Sequence, residues 1–199
     1  MTRSRLYGIG KTLLEGPAYS ASRKLPVMTT FHTLIRDVPD FPKPGVVFKD
    51  IGPLLAEPAG FAACIDALVV SWHDTPVDAV CGVESRGFIF GAAMALAMKT
   101  GFIPLRKVGK LPPPTLGIDY DLEYGSARLE IGAQGIAPGA RVLLVDDVLA
   151  TGGTLDAGRR LLEQAGAMVV GASVVIEIDA LGGRVRWPDT VPLHALLHC

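Results

Sequence analysis

The chain has 199 residues and a mass of 21.0 kDa, the size of a single domain. Hydrophobic residues make up 49% and charged residues 20%, enough to bury a core, which excludes global disorder. The formal net charge of −1 gives no basic surplus for a nucleic-acid partner, and no uncharged apolar run reaches the roughly 18 residues of a membrane span.

Residues 1–28 carry Arg3, Arg5, Lys11, Arg23 and Lys24 against one carboxylate, Glu15. They read as a flexible leader outside the fold, with Met28 as an alternative start, or as a targeting segment or basic arm. Residues 29–199 read as one domain. The spacing predicts a short helix over 31–36. Pro39, Pro42 and Pro44 then hold the chain extended. Phe61, Ile65, Leu68, Val69 and Trp72 recur at helical spacing. Residues 78–83 (DAVCGV) read as a buried strand, 87–98 as a mostly buried helix and 102–105 as a short strand. Residues 109–116, with three consecutive prolines, read as a loop. Residues 128–131 alternate as a half-exposed strand does. Residues 141–145 (RVLLV) read as a fully buried strand and 154–165 as a helix closed by Gly166. Residues 168–178 and 191–198 read as further strands. Buried strands alternating with helices imply an α/β fold with a mostly parallel sheet covered on both faces.

Cys64, Cys81 and Cys199 show no paired spacing, which favours reduced thiols in a cytoplasmic protein. Cys64 and Cys81 read as small core residues. Trp72 and Trp187 read as packing residues. His32, His73, His194 and His198 have no metal-ligand spacing, and neither does the pair Glu177 and Asp179.

Chemistry concentrates in residues 142–154, VLLVDDVLATGGT. A buried strand runs into two acids, a loop of small residues and a helix start. Parallel sheets bind ligands beyond the carboxyl ends of their strands, where Asp146 and Asp147 are expected. The backbone N–H groups of Ala150, Thr151, Gly152, Gly153 and Thr154 can close around a phosphate, aided by the helix dipole. The two carboxylates suit sugar hydroxyls or a hydrated Mg²⁺. Neither GxxxxGK[ST] nor GxGxxG is present.

This stretch resembles the phosphoribosyl-pyrophosphate (PRPP) signature of type I phosphoribosyltransferases. Four further segments match in order and are closest to the adenine-specific members: FPKPGVVFKDI (41–51), ESRGFIFG (84–91), RKVGKLP (106–112) and LEYG (122–125). The resemblance implies the type I phosphoribosyltransferase fold, a mostly parallel central sheet flanked by helices with a small N-terminal hood. It implies transfer of 5-phosphoribosyl from PRPP to adenine, giving AMP and pyrophosphate, with Mg²⁺ as cofactor and a homodimer as the assembly. Residues 150–154 are then expected to hold the 5′-phosphate, and Asp146 and Asp147 the ribose hydroxyls. Mg²⁺ is expected to be held through PRPP and water rather than directly by the protein.

Arg86 is expected at the pyrophosphate, on a loop whose family members carry a non-proline cis peptide, here near Glu84 and Ser85. Lys107 and Lys110 are expected on a lid that closes over PRPP. Glu123 is the expected acid/base for a proton of adenine, and Tyr124 the residue that packs over or hydrogen-bonds the lid. Backbone groups of Val47 and Lys49 are expected to pair with the adenine edge, with Phe48 on one face of the purine and Ile178 on the other. Lys49 stands where relatives usually have Arg, and Ile178 where Leu is common. Two alternatives remain open: a 6-oxopurine enzyme, and a PRPP-sensing regulator on the same fold. Residues 179–187 offer Arg184, Arg186 and Trp187 but no lysine to read a 6-oxo group.

Overall fold

The apolar run 142–145 becomes the centre of the molecule, with every one of its side chains fully buried. The computed structural model describes residues 33–121 and 125–199. Two short strands, β1 (Arg36–Pro39) and β2 (Val47–Asp50), pair antiparallel into a ribbon with Val38 opposite Phe48. A short helix, α1 (Gly52–Ala56), leads into α2 (Pro58–Val70), which Glu57 caps by accepting the Gly60 N–H. Then come β3 (Ala79–Val83), α3 (Gly87–Met98), β4 (Gly101–Lys107), β5 (Thr115–Asp121) and β6 (Ser126–Gly132). The chain ends with β7 (Arg141–Leu149), α4 (Gly153–Gln164), β8 (Met168–Glu177), two 3₁₀ turns and β9 (Leu193–His198).

The main sheet has seven strands in the order β5-β6-β4-β3-β7-β8-β9. The five from β4 to β9 run parallel, while β6 and β5 extend the sheet antiparallel. Helix α4 covers one face, burying Leu155, Leu161 and Leu162 against Leu144 and Val174. Helices α2 and α3 cover the other, burying Leu68, Phe90 and Met94 against Leu143, Val145 and Val175. Each such apolar side chain contributes about 1.5–3 kcal/mol on burial, so β7 is firmly anchored between the two helical layers. Trp72 and Trp187 are buried as packing residues; the Trp72 indole N–H donates to Ser173 Oγ at 2.6 Å. Cys64 and Cys81 are fully buried, and burial alone pushes the Cys64 thiol up to about 12, which leaves it unreactive. No helix among the described residues is long and apolar enough to cross a membrane.

Several elements depart from the sequence expectation. Of the helix expected over 31–36, the described part has only Thr33 in helical form, and Arg36 already opens β1. Pairing with β2 and the Arg36–Asp50 ion pair at 2.7 Å override the local helical pattern. The loop expected over 109–116 ends at Pro114, because Thr115 begins β5, whose Gly and Asp content hid it. Strand β6 is not half-exposed: Leu129, Glu130 and Ile131 are all buried, because α4 covers one face and residue 109 lies over the other. Strand β7 runs on to Leu149, its ladder with β8 continuing from Asp146 opposite Val174 to Leu149 opposite Glu177. Trp72 lies just past the end of α2.

Candidate active site

From β3 the chain crosses to β4 on one side, and from β7 to β8 on the other. The β3–β7 boundary is therefore where the strand order reverses, and the crevice beyond those two strand ends is the natural ligand site. Residues 84–87 leave β3 and residues 146–154 end β7, so both sequence motifs meet there. The Glu84–Ser85 peptide is cis, as expected from the resemblance. Helix α3 starts at Gly87, where a side chain would lie 2.8 Å from Asp146 Oδ1 and 2.9 Å from the Val145 carbonyl oxygen. Only glycine lets the helix approach β7 this closely.

The loop 150–152 turns the chain from β7 into α4. Gly152 caps the helix with φ +80°, a left-handed backbone that favours glycine. A Cβ there would also collide with the Gly183 carbonyl. Gly183 itself packs against Ala150, so the turn after β8 forms the back wall of the loop. A shallow pocket is lined by Asp146, Ala150, Thr151, Gly152, Gly153 and Thr154. All five residues of the expected phosphate loop thus line one concavity at a helix N-terminus.

Asp146 and Asp147 lie inside the end of β7 rather than beyond it, and Asp147 is buried. Burial, then repulsion from the Asp147 carboxylate, raises Asp146 well above the usual carboxylate range. Burial raises Asp147 as well, opposed by Arg86, whose Nε lies 2.7 Å from Asp147 Oδ2. The Asp147 N–H donates to Asp146 Oδ1 at 2.9 Å. Asp147 Oδ2 makes this ion pair without an aligned hydrogen bond, and it is a hard oxygen donor of the type Mg²⁺ takes. The two carboxylates therefore fit a hydrated Mg²⁺ carried in with a phosphorylated substrate.

Arg86 also reaches the ribbon. Its guanidinium donates to the Lys49 carbonyl at 3.2 Å and lies 4.8 Å from the centroid of the Phe48 ring. Phe48 in turn packs edge-on against Phe41, with centroids 5.2 Å apart. The Lys49 ammonium pairs with Asp37 at 2.8 Å, which raises its pKa. One arginine thus links Asp147 to two of the three expected hood residues. Val47 is exposed at the start of β2. Ile178 follows β8, half-buried, and its N–H donates to the Leu149 carbonyl at 2.9 Å.

Lys107, the last residue of β4, and Lys110, in the loop that follows, are both exposed. Glu84 fixes the entry to that loop, accepting the Lys107 N–H at 2.8 Å and pairing with Arg106 at 3.0 Å. Arg106 accordingly holds the Glu84 carboxyl below its ordinary value. Glu123 and Tyr124 lie outside the described residues.

Sequence reading missed the Arg86 bridge, the Gly183 wall and the Glu84–Arg106 pair; the adjacent glycines 182 and 183 were the only signal for any of them. It also read His198 apart from the pair Glu177 and Asp179, although the ligand atoms of all three gather within 4.8 Å. Arg184 occupies Glu177, and His198 Nδ1 meets Asp179 at 2.9 Å, so the cluster braces the chain end.

Residues 51–191 match the model of the phosphoribosyl transferase domain. The chain is 55% identical over 163 residues to an adenine phosphoribosyltransferase of Xanthomonas axonopodis pv. citri, covering 82% of this chain and 88% of that protein. The crystal structure of adenine phosphoribosyltransferase from Rhodothermus marinus superposes with a TM-score of 0.83 at 47% identity, covering 86% of this chain and 98% of the other. The enzyme from Saccharomyces cerevisiae, complexed with an imino-altritol bisphosphate and adenine, superposes with a TM-score of 0.81 at 37% identity over 85% and 98% of the two chains.

Proposed function

The chain belongs to the phosphoribosyl transferase family, and within it we propose that it transfers the 5-phosphoribosyl group of PRPP to adenine, giving AMP and pyrophosphate in purine salvage. The observation that carries this reading is the meeting of a buried Asp pair, a glycine-capped phosphate loop and the Arg86 bridge to Phe48 at one strand-order reversal. The adenine named with the yeast relative supports the choice of base.

The reaction breaks the C1′–pyrophosphate bond and forms a bond from C1′ to a purine nitrogen, through a cationic ribose. The chain's task is to hold both partners in line and keep water out. Loop residues Ala150, Thr151, Gly152, Gly153 and Thr154 hold the 5′-phosphate through backbone N–H groups and two hydroxyls. Asp146 and Asp147 accept from the ribose diol, and a carboxylate that ionises there once Mg²⁺–PRPP is bound would favour the positive charge developing at C1′. Arg86 exchanges its contact with Asp147 for the pyrophosphate. Asp146 and Asp147 would hold Mg²⁺ through PRPP and water, and the ion would supply positive charge to offset that developing on the leaving group. Lys107 and Lys110 attract the pyrophosphate from the loop that closes over it. Phe48 and Ile178 sandwich the purine, Val47 and Lys49 pair with its edge, and Glu123 handles its proton with Tyr124 over the loop.

A homodimer belongs to the same proposal. Helix α3, which begins at the site, leaves Ile89 39% and Leu96 81% exposed on an all-apolar sequence, a face suited to a second copy. The three free thiols support a cytoplasmic setting.

The test is product mass after incubation with Mg²⁺, PRPP and, separately, adenine, hypoxanthine, guanine or xanthine. AMP from adenine alone is expected. A nucleotide from a 6-oxopurine keeps the PRPP site and overturns the hood assignment. No nucleotide from any base, with PRPP still bound, replaces the enzyme by a PRPP sensor.

A further inference from the structure

The loop 108–114 joins β4 to β5, which are not neighbours: β6 lies between them. The loop must therefore cross the end of β6, and it is fastened to that strand at both sides. At the far side the Ala133 N–H, just past β6, donates to the Pro114 carbonyl at 3.0 Å. At the near side the fastening is a side chain. Glu130, only 8% exposed on β6, accepts the Gly109 N–H on Oε2 at 3.0 Å.

Glu130 is directly opposite Arg106 on β4 and Gly117 on β5, so all three lie on one face of the sheet. Arg128, two residues earlier, shares that face. Its Nε lies 3.6 Å from Glu130 Oε1, and its Nη1 lies 3.0 Å from Asp119. Gly117 leaves the room that the Arg128 guanidinium fills. The carboxylate is thus steered from one side by Arg128 while its other oxygen holds the loop. Gly109 has φ +73°, sits between Lys107 and Lys110, and is where the chain turns away from β4.

We propose that Glu130 is a positioning residue for the transfer reaction: through Gly109 it sets the direction in which Lys107 and Lys110 leave the sheet towards pyrophosphate. The proposal rests on the assignment of this loop as the cover over PRPP. Glu130 touches no substrate and acts only through the loop backbone. Its side chain is needed because no backbone group of β6 reaches residue 109 in the way that Ala133 reaches Pro114.

The test compares Glu130→Ala and Glu130→Gln with the parent chain. In steady-state assays Glu130→Ala is expected to raise KM for PRPP about tenfold, the scale of one lost charge-assisted hydrogen bond, with KM for adenine unchanged. Glu130→Gln keeps an acceptor for Gly109 and is expected to restore most of the loss. Amide hydrogen exchange gives a second readout. Gly109 is expected to exchange slowly beside its exposed neighbours Val108 and Lys110, and to lose that protection in Glu130→Ala. Equal loss with both substrates, or an unchanged KM for PRPP, overturns the proposal. Where Glu130→Ala does not fold, unprotected Gly109 in the parent chain overturns it. If the parent forms no nucleotide at all, the reaction assignment fails, and the exchange arm still decides whether Glu130 holds the loop.

Discussion

Residues 146–154 and residues 36–50 face one crevice but are built by different forces. The first segment ends a strand paired on both sides, with Val142, Leu143, Leu144 and Val145 fully buried beneath it. Its acids are forced into a dry setting and its loop is shaped by glycine. The ribbon is two strands of four residues, largely exposed, tied by the Arg36–Asp50 and Lys49–Asp37 ion pairs and by Arg86. Isolated two-stranded ribbons are marginal in water. Packing thus holds the phosphate side, while electrostatics holds the hood, and Arg86 is the joint between them. A rigid floor suits a charged substrate that must be oriented; a lightly held hood suits a flat base that must enter and leave.

Substitutions can break this comparison. The largest effect is expected from Gly152→Ala, which places a side chain at φ +80° against the Gly183 carbonyl. Backbone strain alone costs about 1–3 kcal/mol, so both Tm and PRPP binding should fall. Asp146→Asn should cut turnover roughly hundredfold or more, the scale of losing one preorganised charge, with Tm maintained. Phe48→Ala should raise KM for adenine about tenfold, the scale of one base–aromatic stack, and leave Tm within a degree or two of the parent. Asp37→Ala removes an exposed partner of Lys49 and should change KM for adenine only a few-fold, an effect that fades as salt rises.

The smallest effect sharpens the contrast from the floor's far end. Arg141 holds Asp78 at about 2, below the ordinary 3.8, with hydrogen bonds at 2.7 Å and 2.9 Å. A lowered carboxyl stabilises the fold above its ordinary value and loses that contribution as pH falls towards 2. Asp78→Asn should therefore lower Tm slightly at pH 7, converge with the parent near pH 2, and leave activity unchanged.

The phosphate side was legible because strand, acids, glycines and helix start are contiguous, and local sequence dictates local shape. The alternation of strands and helices also gave the covered, mostly parallel sheet. What escaped depends on residues distant in sequence. The Arg86 contact with Lys49 spans 37 residues and exists only because the ribbon folds back against the residue that heads α3. Strand β5 was hidden by glycine and aspartate, whose places are explained by Arg128 across the ladder. Glu130 lies in the run 128–131, whose alternation reads as a half-exposed strand, and it is buried because the loop crosses above it.

Calorimetric titration of Mg²⁺–PRPP into Phe48→Ala tests most directly whether floor and hood are separate. Parent-like PRPP affinity with weakened adenine affinity is expected. Loss of PRPP affinity in step with adenine affinity would contradict that separation, and would make the hood part of the phosphate site.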